Sequence, residues 1–258
     1  MHIDIQPLLS LAINAGEAIL SVYNDSDIAS SLQYKDDHSP LTIADTLSHD
    51  TIVAGLKSLH PEIPVLSEEG ADIPYESRKN WEYYWCVDPL DGTKEFINRN
   101  GEFTVNIALI NNGLPVLGVI YIPCKQTLYY GSEEGSFKQY LNSEAVPIKA
   151  DAGAEEWISV GSRSHADGSE EAFLDAFPVK QQLTAGSSLK FCLIAEGKAH
   201  IYFRNGPTME WDTAAGHAIA VNAGALMQTP EGLPFVYNKP SLLNSSFVCR
   251  IKLPTEHL

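Results

Sequence analysis

Positive charge is scarce in this chain: 17 lysines and arginines stand against 33 aspartates and glutamates, a formal net charge of −16. Such a surface repels a phosphate backbone, which argues against a nucleic-acid polymer as partner. The same field opposes a small phosphorylated substrate unless bound cations reverse it locally. Cysteine is sparse too. Cys86, Cys124, Cys192 and Cys249 include no Cys-x-x-Cys pair, so the sequence reads as a reduced, cytosolic protein whose thiols are buried as small hydrophobes. The first twenty residues, MHIDIQPLLSLAINAGEAIL, lack a basic start, and Asn14 and Glu17 interrupt their apolar run. Neither a signal peptide nor a membrane span is expected there. Low-complexity tracts, internal repeats, a G-x-S-x-G elbow, a Cys-x₅-Arg loop and an EF-hand pattern are also missing. Their absence sets aside the common covalent hydrolase nucleophiles and a structural calcium module.

What is present supports one large domain or two intimate ones, since 258 residues suffice for a substantial core. Ile5, Leu8, Leu9, Ala12, Gly16, Ile19, Leu20 and Tyr23 recur at helical spacing and predict an opening amphipathic helix. LTIADTLSHDTIVAGLKSLHP predicts a second helix, stopped at His60-Pro61. EYYWCVD and EFTVNIALI read as strands, the latter with Phe103, Val105, Ile107 and Leu109 on one face. Asn112-Gly113 is a hairpin signal leading into LPVLGVIYI, and TLYYGS and GSFKQY extend the meander. From Trp157 onward strands and helices alternate: WISVGS, GSEEAFLDAF, SSLKFCLIAEG, AHIYFR and WDTAAGHAIAVNAGA. The expectation is an α+β part over 1–145 and an α/β part over 146–258.

Chemistry concentrates in VDPLDGTKEF. Asp88 falls at the end of a strand, and Pro89 fixes a sharp exit that can turn the Leu90 carbonyl and the Asp91 carboxylate back toward it. Two carboxylates and a carbonyl form a hard oxygen site suited to Mg²⁺. Gly92 permits close backbone approach, and Thr93 opens a helix whose free N–H groups favour phosphate. Each acid also has an ordinary explanation when taken alone. D-P-x-D-G suits a helix-capping turn, and Glu68-Glu69 suits a solvated loop. Asp212 suits an N-cap, with Ala214, Ala215 and Gly216 allowing that helix to pack closely. Thr42 to Asp45 suits a capping box. His165 and Lys190 suit an ordinary loop and an ordinary surface.

Taken together, TIAD, SEE, DPLDGT and WDTAAG, in this order over nearly the whole chain, resemble the lithium-sensitive phosphatase superfamily typified by inositol monophosphatase. SRSH and GSSLKFCLIAEG narrow the resemblance to the bacterial 3′(2′),5′-bisphosphate nucleotidases, with inositol and sugar phosphatases as sister readings on the same fold and a non-catalytic phosphometabolite-binding protein as a remote one. The resemblance implies an α+β fold, a layered α-β-α-β-α sandwich with the site where the halves meet. It implies two Mg²⁺ ions, with a third held more weakly, on Glu68, Asp88, the Leu90 carbonyl, Asp91 and Asp212. It implies that Asp45 and Thr93 deprotonate the attacking water, with Glu68 beside the third ion. The phosphate would meet Glu68, Leu90, Asp91, Gly92, Thr93 and Asp212. Ser162, His165, Gly186 and Lys190 would line the nucleotide, with Arg204 near its 5′-phosphate. The implied substrate is adenosine 3′,5′-bisphosphate, the implied location cytoplasmic or peripheral on the cytoplasmic face of the inner membrane. Glu210, beside Trp211-Asp212, departs from the expected apolar or neutral neighbour and is expected to alter metal affinity or 5′-phosphate tolerance slightly.

Overall fold

The computed structural model describes residues 3–25, 33–34, 40–41, 43–70, 72–162 and 168–253. Helix α1 (Gln6–Tyr23) carries Pro7 in its first turn, where the missing N–H costs no bond. It buries Leu8, Leu9, Ala12, Ile19 and Tyr23, while Ile5 and Leu20 are half-buried. A methyl group on Gly16 would overlap the Tyr121 ring, so this glycine lets the helix lie close on the sheet below. After a two-residue ribbon, β1 (Gln33–Tyr34) with β2 (Pro40–Leu41), comes α2 (Ile43–Leu59), and α1 and α2 share one apolar layer.

Beneath them runs a seven-stranded sheet in chain order: β3 (Val65–Ser67), β4 (Tyr83–Asp91), β5 (Thr104–Asn111), β6 (Leu114–Ile122), β7 (Thr127–Ser132), β8 (Gly135–Tyr140) and β9 (Val146–Ile148). Only β3 and β4 pair in parallel. Asn112 and Gly113 turn β5 into β6 with φ of 48° and 77°, the left-handed pair that a two-residue hairpin requires. Trp85, Val87, Val105, Ile107 and Val119 face α1 and α2. Tyr84, Cys86, Ala108, Ile110 and Ile120 face a second core on the other side, the alternation a pleated strand imposes.

That second core holds α6 (Leu189–Ala195) and α7 (Glu210–Asn222), which follow the short helices α3 (Tyr75–Arg78), α4 (Thr93–Ile97) and α5 (Gly168–Leu174) in the chain. Gly118 and Gly131 are cross-strand partners on β6 and β7. A methyl on either would overlap the backbone of α7, at Ala215 and Ile219 respectively. Gly216 likewise lies against the Phe191 ring, so the small residues of α7 do pack closely, as their sequence suggests.

The five-stranded sheet, ordered β11 (Val179–Ala185), β10 (Trp157–Ser162), β12 (Ile201–Arg204), β14 (Phe247–Arg250), β13 (Leu226–Gln228), covers these helices. Trp157, Ile201, Phe203 and Val248 on its far face pack with Phe173 and Leu174 of α5. The layers therefore run α-β-α-β-α. Cys86, Cys192 and Cys249 are buried free thiols; Cys124 is exposed, contrary to the expectation for all four. Among the described residues no helix is long and apolar enough to cross a membrane.

Candidate active site

Strand β4 does not end at Asp88. It continues through Pro89 to Asp91, with an irregularity in its pairing to β5 between Asp88 and Asp91. Proline withholds a ladder N–H, and the strand bends there. The Leu90 N–H donates to Asp88 Oδ1 at 3.1 Å, and Ser48 of α2 donates to the Pro89 carbonyl at 2.7 Å. The turn is thus pinned from within and from the helix layer.

Asp45 (2% exposed) lies in the first turn of α2 and Asp88 (1% exposed) on β4. Glu68 opens the 3₁₀ turn directly after β3. Asp91 closes β4, with its Oδ2 accepting from Ser188 Oγ at 2.7 Å and Asn106 Nδ2 at 3.3 Å. Asp212 is not the N-cap of α7, as expected, but the third residue of the helix. Met209 is the cap, and its N–H donates to Asp212 Oδ2 at 2.8 Å.

These acids crowd one another electrostatically. Burial raises the Asp88 carboxyl well above the usual range, and Glu68, Asp91, Asp212 and Asp45 raise it further. Burial and then Asp91 push Asp212 up to about 8. Asp91 is raised by burial, although its bond from Ser188 and the charge of Lys190 pull the other way. A group of hard-oxygen donors in which burial and neighbouring carboxylates make Asp88 and Asp212 costly to ionise has the chemistry of a divalent-cation site. As the side chains stand, no three acidic, histidine or cysteine residues among those described converge tightly enough to cage an ion. Asp212 is turned to the helix cap and Asp91 to Ser188.

An open cleft adjoins the acids, lined by Asp91, Gly92, Ser162, Lys190 and Asp212 of the expected residues. Gly92 caps α4 at φ 92°, and Thr93 begins that helix. Gly186 sits behind the cleft, its N–H donating to Glu102 Oε2 at 2.9 Å; a methyl there would overlap Glu95. Lys190 is not the free cation its sequence suggests. Its ammonium donates to the carbonyls of Ser187 (2.6 Å) and Ala185 (3.3 Å), lies over the Tyr202 ring, and is lowered in pKa by burial. His165 and Thr42 lie outside the described residues.

Sequence reasoning missed Phe191, Tyr202, Pro207, Thr208 and Thr213 in the cleft, which also includes Arg204. The alternating polar residues of EFTVN were a usable signal, because Thr104 and Asn106 are polar side chains in a fully buried strand. Glu210 is wholly buried, but it is not among the residues lining the cleft. It accepts from the Asn238 and Lys239 N–H groups (2.8 and 3.0 Å), from Lys239 Nζ (2.6 Å) and from Tyr84 (3.3 Å). Its role is to tie α7 to the 236–244 loop.

Comparison with known proteins matches residues 4–256 to the inositol monophosphatase family. A protein of Salmonella typhimurium, the 3′(2′),5′-bisphosphate nucleotidase CysQ, is 49% identical over 247 residues, spanning 94% of this chain and 98% of that one. Its counterpart of the same name in Escherichia coli K12 is 48% identical over 242 residues, 92% of this chain and 95% of its own. The crystal structure of CysQ from Bacteroides thetaiotaomicron superposes with a TM-score of 0.84 at 43% identity, covering 95% of this chain and 96% of that one. SuhB of Bartonella henselae, at 23% identity, 96% and 93% coverage and a TM-score of 0.77, shares the fold.

Proposed function

The chain belongs to the inositol monophosphatase family, and on that premise we propose that it hydrolyses the 3′-phosphate of adenosine 3′,5′-bisphosphate to give AMP and phosphate, with magnesium as cofactor. The observation that carries the reading is the group of five acids from four separate elements, in which Asp45, Glu68, Asp91 and Asp212 all raise Asp88 beside an open cleft. Near-half identity to nucleotidases over most of the chain supports the substrate class.

In this reading Glu68, Asp88, the Leu90 carbonyl, Asp91 and Asp212 would hold the magnesium ions. Bound magnesium would supply Lewis acidity to the phosphate oxygens and acidify the attacking water. Asp45, buried beside Asp88, would accept a proton from the attacking water by way of the Thr93 hydroxyl. Gly92 lets the backbone approach the phosphate without a side chain between. Lys190 and Arg204 bring positive charge to a strongly acidic molecule, and the Phe191 and Tyr202 rings offer apolar surface in the same cleft. Residues 1–145 contribute most metal ligands; residues 146–258 contribute the nucleotide loops and Asp212. The phosphosulfate nucleotide is a second substrate in this reading, and removal of a by-product of sulfate reduction its use.

The test is phosphate release with magnesium, with and without lithium, on adenosine 3′,5′-bisphosphate, inositol 1-phosphate and fructose 1,6-bisphosphate. Preference for the nucleotide, abolished by chelator and suppressed by lithium, is the expected result. Preference for inositol or sugar phosphate would keep the metal chemistry and overturn the nucleotide assignment.

A further inference from the structure

We propose that Glu102, Thr104 and Asn106 form a polar ladder that holds the Gly186–Ser188 loop in register with the Asp91 carboxylate, so that substrate recognition and metal ligation are set by one strand. The inference rests on the reading above in taking Asp91 as a metal ligand and the loop as part of the nucleotide site.

Residues two apart on a strand share a face. Along β5 and its lead-in, Phe103, Val105 and Ile107 enter the apolar layer under α1 and α2, and Glu102, Thr104 and Asn106 alternate with them. Each meets the next residue of the loop in turn. The Gly186 N–H donates to Glu102 Oε2 at 2.9 Å. Ser187 Oγ lies 3.1 Å from Thr104 Oγ1. Asn106 Nδ2 donates to Ser188 Oγ at 2.9 Å.

The ladder then closes on the acids. Ser188 Oγ donates to Asp91 Oδ2 at 2.7 Å, and the second proton of the Asn106 amide points to the same oxygen at 3.3 Å. Thr104 Oγ1 donates to Asn106 Oδ1 at 2.9 Å, which fixes the orientation of that amide. Every polar atom of the Asn106 side chain is thereby used, inside a site where an unmet donor is costly. Thr104 and Asn106 are also the cross-strand partners of Asp91 and Asp88. One strand face therefore references both the acids of β4 and the loop more than 80 residues away in sequence. Ser187 itself is held at φ 41°, a left-handed conformation that disfavours side chains and that its flanking bonds must offset. Outer partners of this kind orient metal ligands and tune their affinity.

Magnesium binding by calorimetry on the nucleotide-free protein, melting in chelator, and KM and kcat on adenosine 3′,5′-bisphosphate test this in Asn106→Leu, Ser188→Ala, their pair, and Glu102→Ala. Asn106→Leu and Ser188→Ala should each weaken magnesium about tenfold, and the pair should be no worse than Ser188→Ala alone, because Asn106 acts through the Asp91 oxygen that Ser188 also serves, while Ser188 Oγ in addition lies 3.0 Å from the Asp212 carbonyl. Glu102→Ala, at the far end, should raise KM about tenfold with kcat and magnesium affinity little changed, and Glu102→Gln, which keeps an acceptor, should restore KM. Unchanged magnesium affinity in a folded Asn106→Leu and in Ser188→Ala, or additive losses in the pair, would overturn the ladder. If Asn106→Leu does not fold, Ser188→Ala decides the metal end. Should the wild-type chain bind magnesium and ignore the nucleotide, the substrate reading fails while calorimetry still decides the ladder.

Discussion

Glu210 and Asp212 stand two residues apart at the start of α7, the first wholly buried and the second half-buried, and their surroundings are opposites. Glu210 is met by the Lys239 ammonium, two backbone N–H groups and the Tyr84 hydroxyl. Lys239 in turn donates to Asn244 Oδ1, and Asn244 donates to the Met209 carbonyl at 2.7 Å. Asp212 belongs with Asp88, Asp91 and Glu68, where the largest neighbouring charges are other acids. A buried acid whose charge the protein neutralises itself is architecture. Acids set against one another, as Asp88 and Asp212 are, would be relieved by a counter-charge, and that difference sets the two acids of α7 apart.

The strongest way to break this comparison is Asp91→Asn. Hydrolysis should fall by on the order of 10³-fold or more, while the melting temperature in chelator holds or rises, because a neutral amide relieves the repulsion. Turnover at the wild-type level would remove Asp91 from the metal site. Glu210→Gln should do the reverse. It breaks a buried ion pair and costs about 3 kcal/mol, lowering the melting temperature by roughly 10 °C. Magnesium at about 100 times its dissociation constant should still add about 2.7 kcal/mol, as in the wild type. Loss of that increment with melting in chelator unchanged would merge the two kinds of acid into one.

A smaller effect sharpens the same comparison with a buried base. His217, further along α7, is pushed down to about 3 by burial and lies 3.2 Å from the Tyr237 hydroxyl. The unfolded chain binds this proton as pH falls below 6.5, and the folded chain resists until near 3. The contribution of neutral His217 is therefore whole above pH 6.5 and is lost as pH falls through that window, at up to about 1.4 kcal/mol per pH unit. Denaturant unfolding at pH 7 and 5.5 should show a shallower loss in His217→Gln; an equal loss would assign the acid sensitivity elsewhere.

The acidic segments were legible because their acids sit in short contiguous motifs, where Asp88, Asp91 and Asp212 each accompany a proline, glycine or tryptophan that restricts the local chain. The ladder was not, since Asn106 and Ser188 meet only through the fold. Strands β4 to β8 of the seven-stranded sheet declared themselves by apolar patterning and by Asn112-Gly113, whereas the three-residue β3 and β9 did not. Strand β11, VKQQLTA, did not, because it is a largely exposed edge with no apolar face to repeat. Strands β13 and β14, of three and four residues, are too short for periodicity to register. Asp212 was misplaced along its helix because an aspartate serves equally as N-cap or as the third residue bonding back to the cap. Lys190 looked solvated because sequence does not reveal that the loop before it turns its carbonyls inward.

The paired glycines under α7 carry a consequence for how such a protein can diverge. Where Gly118 and Gly131 meet Ala215 and Ile219, main chain rests directly on the sheet, and no rotamer change can lengthen or shorten that contact. The helix-borne acid Asp212 and the strand-borne acids Asp88 and Asp91 thus share a ruler made of backbone. Side chains elsewhere in the layer are free to exchange size and shape over generations without altering the span between those acids, so much of the interior can be rewritten while the chemistry stays in place.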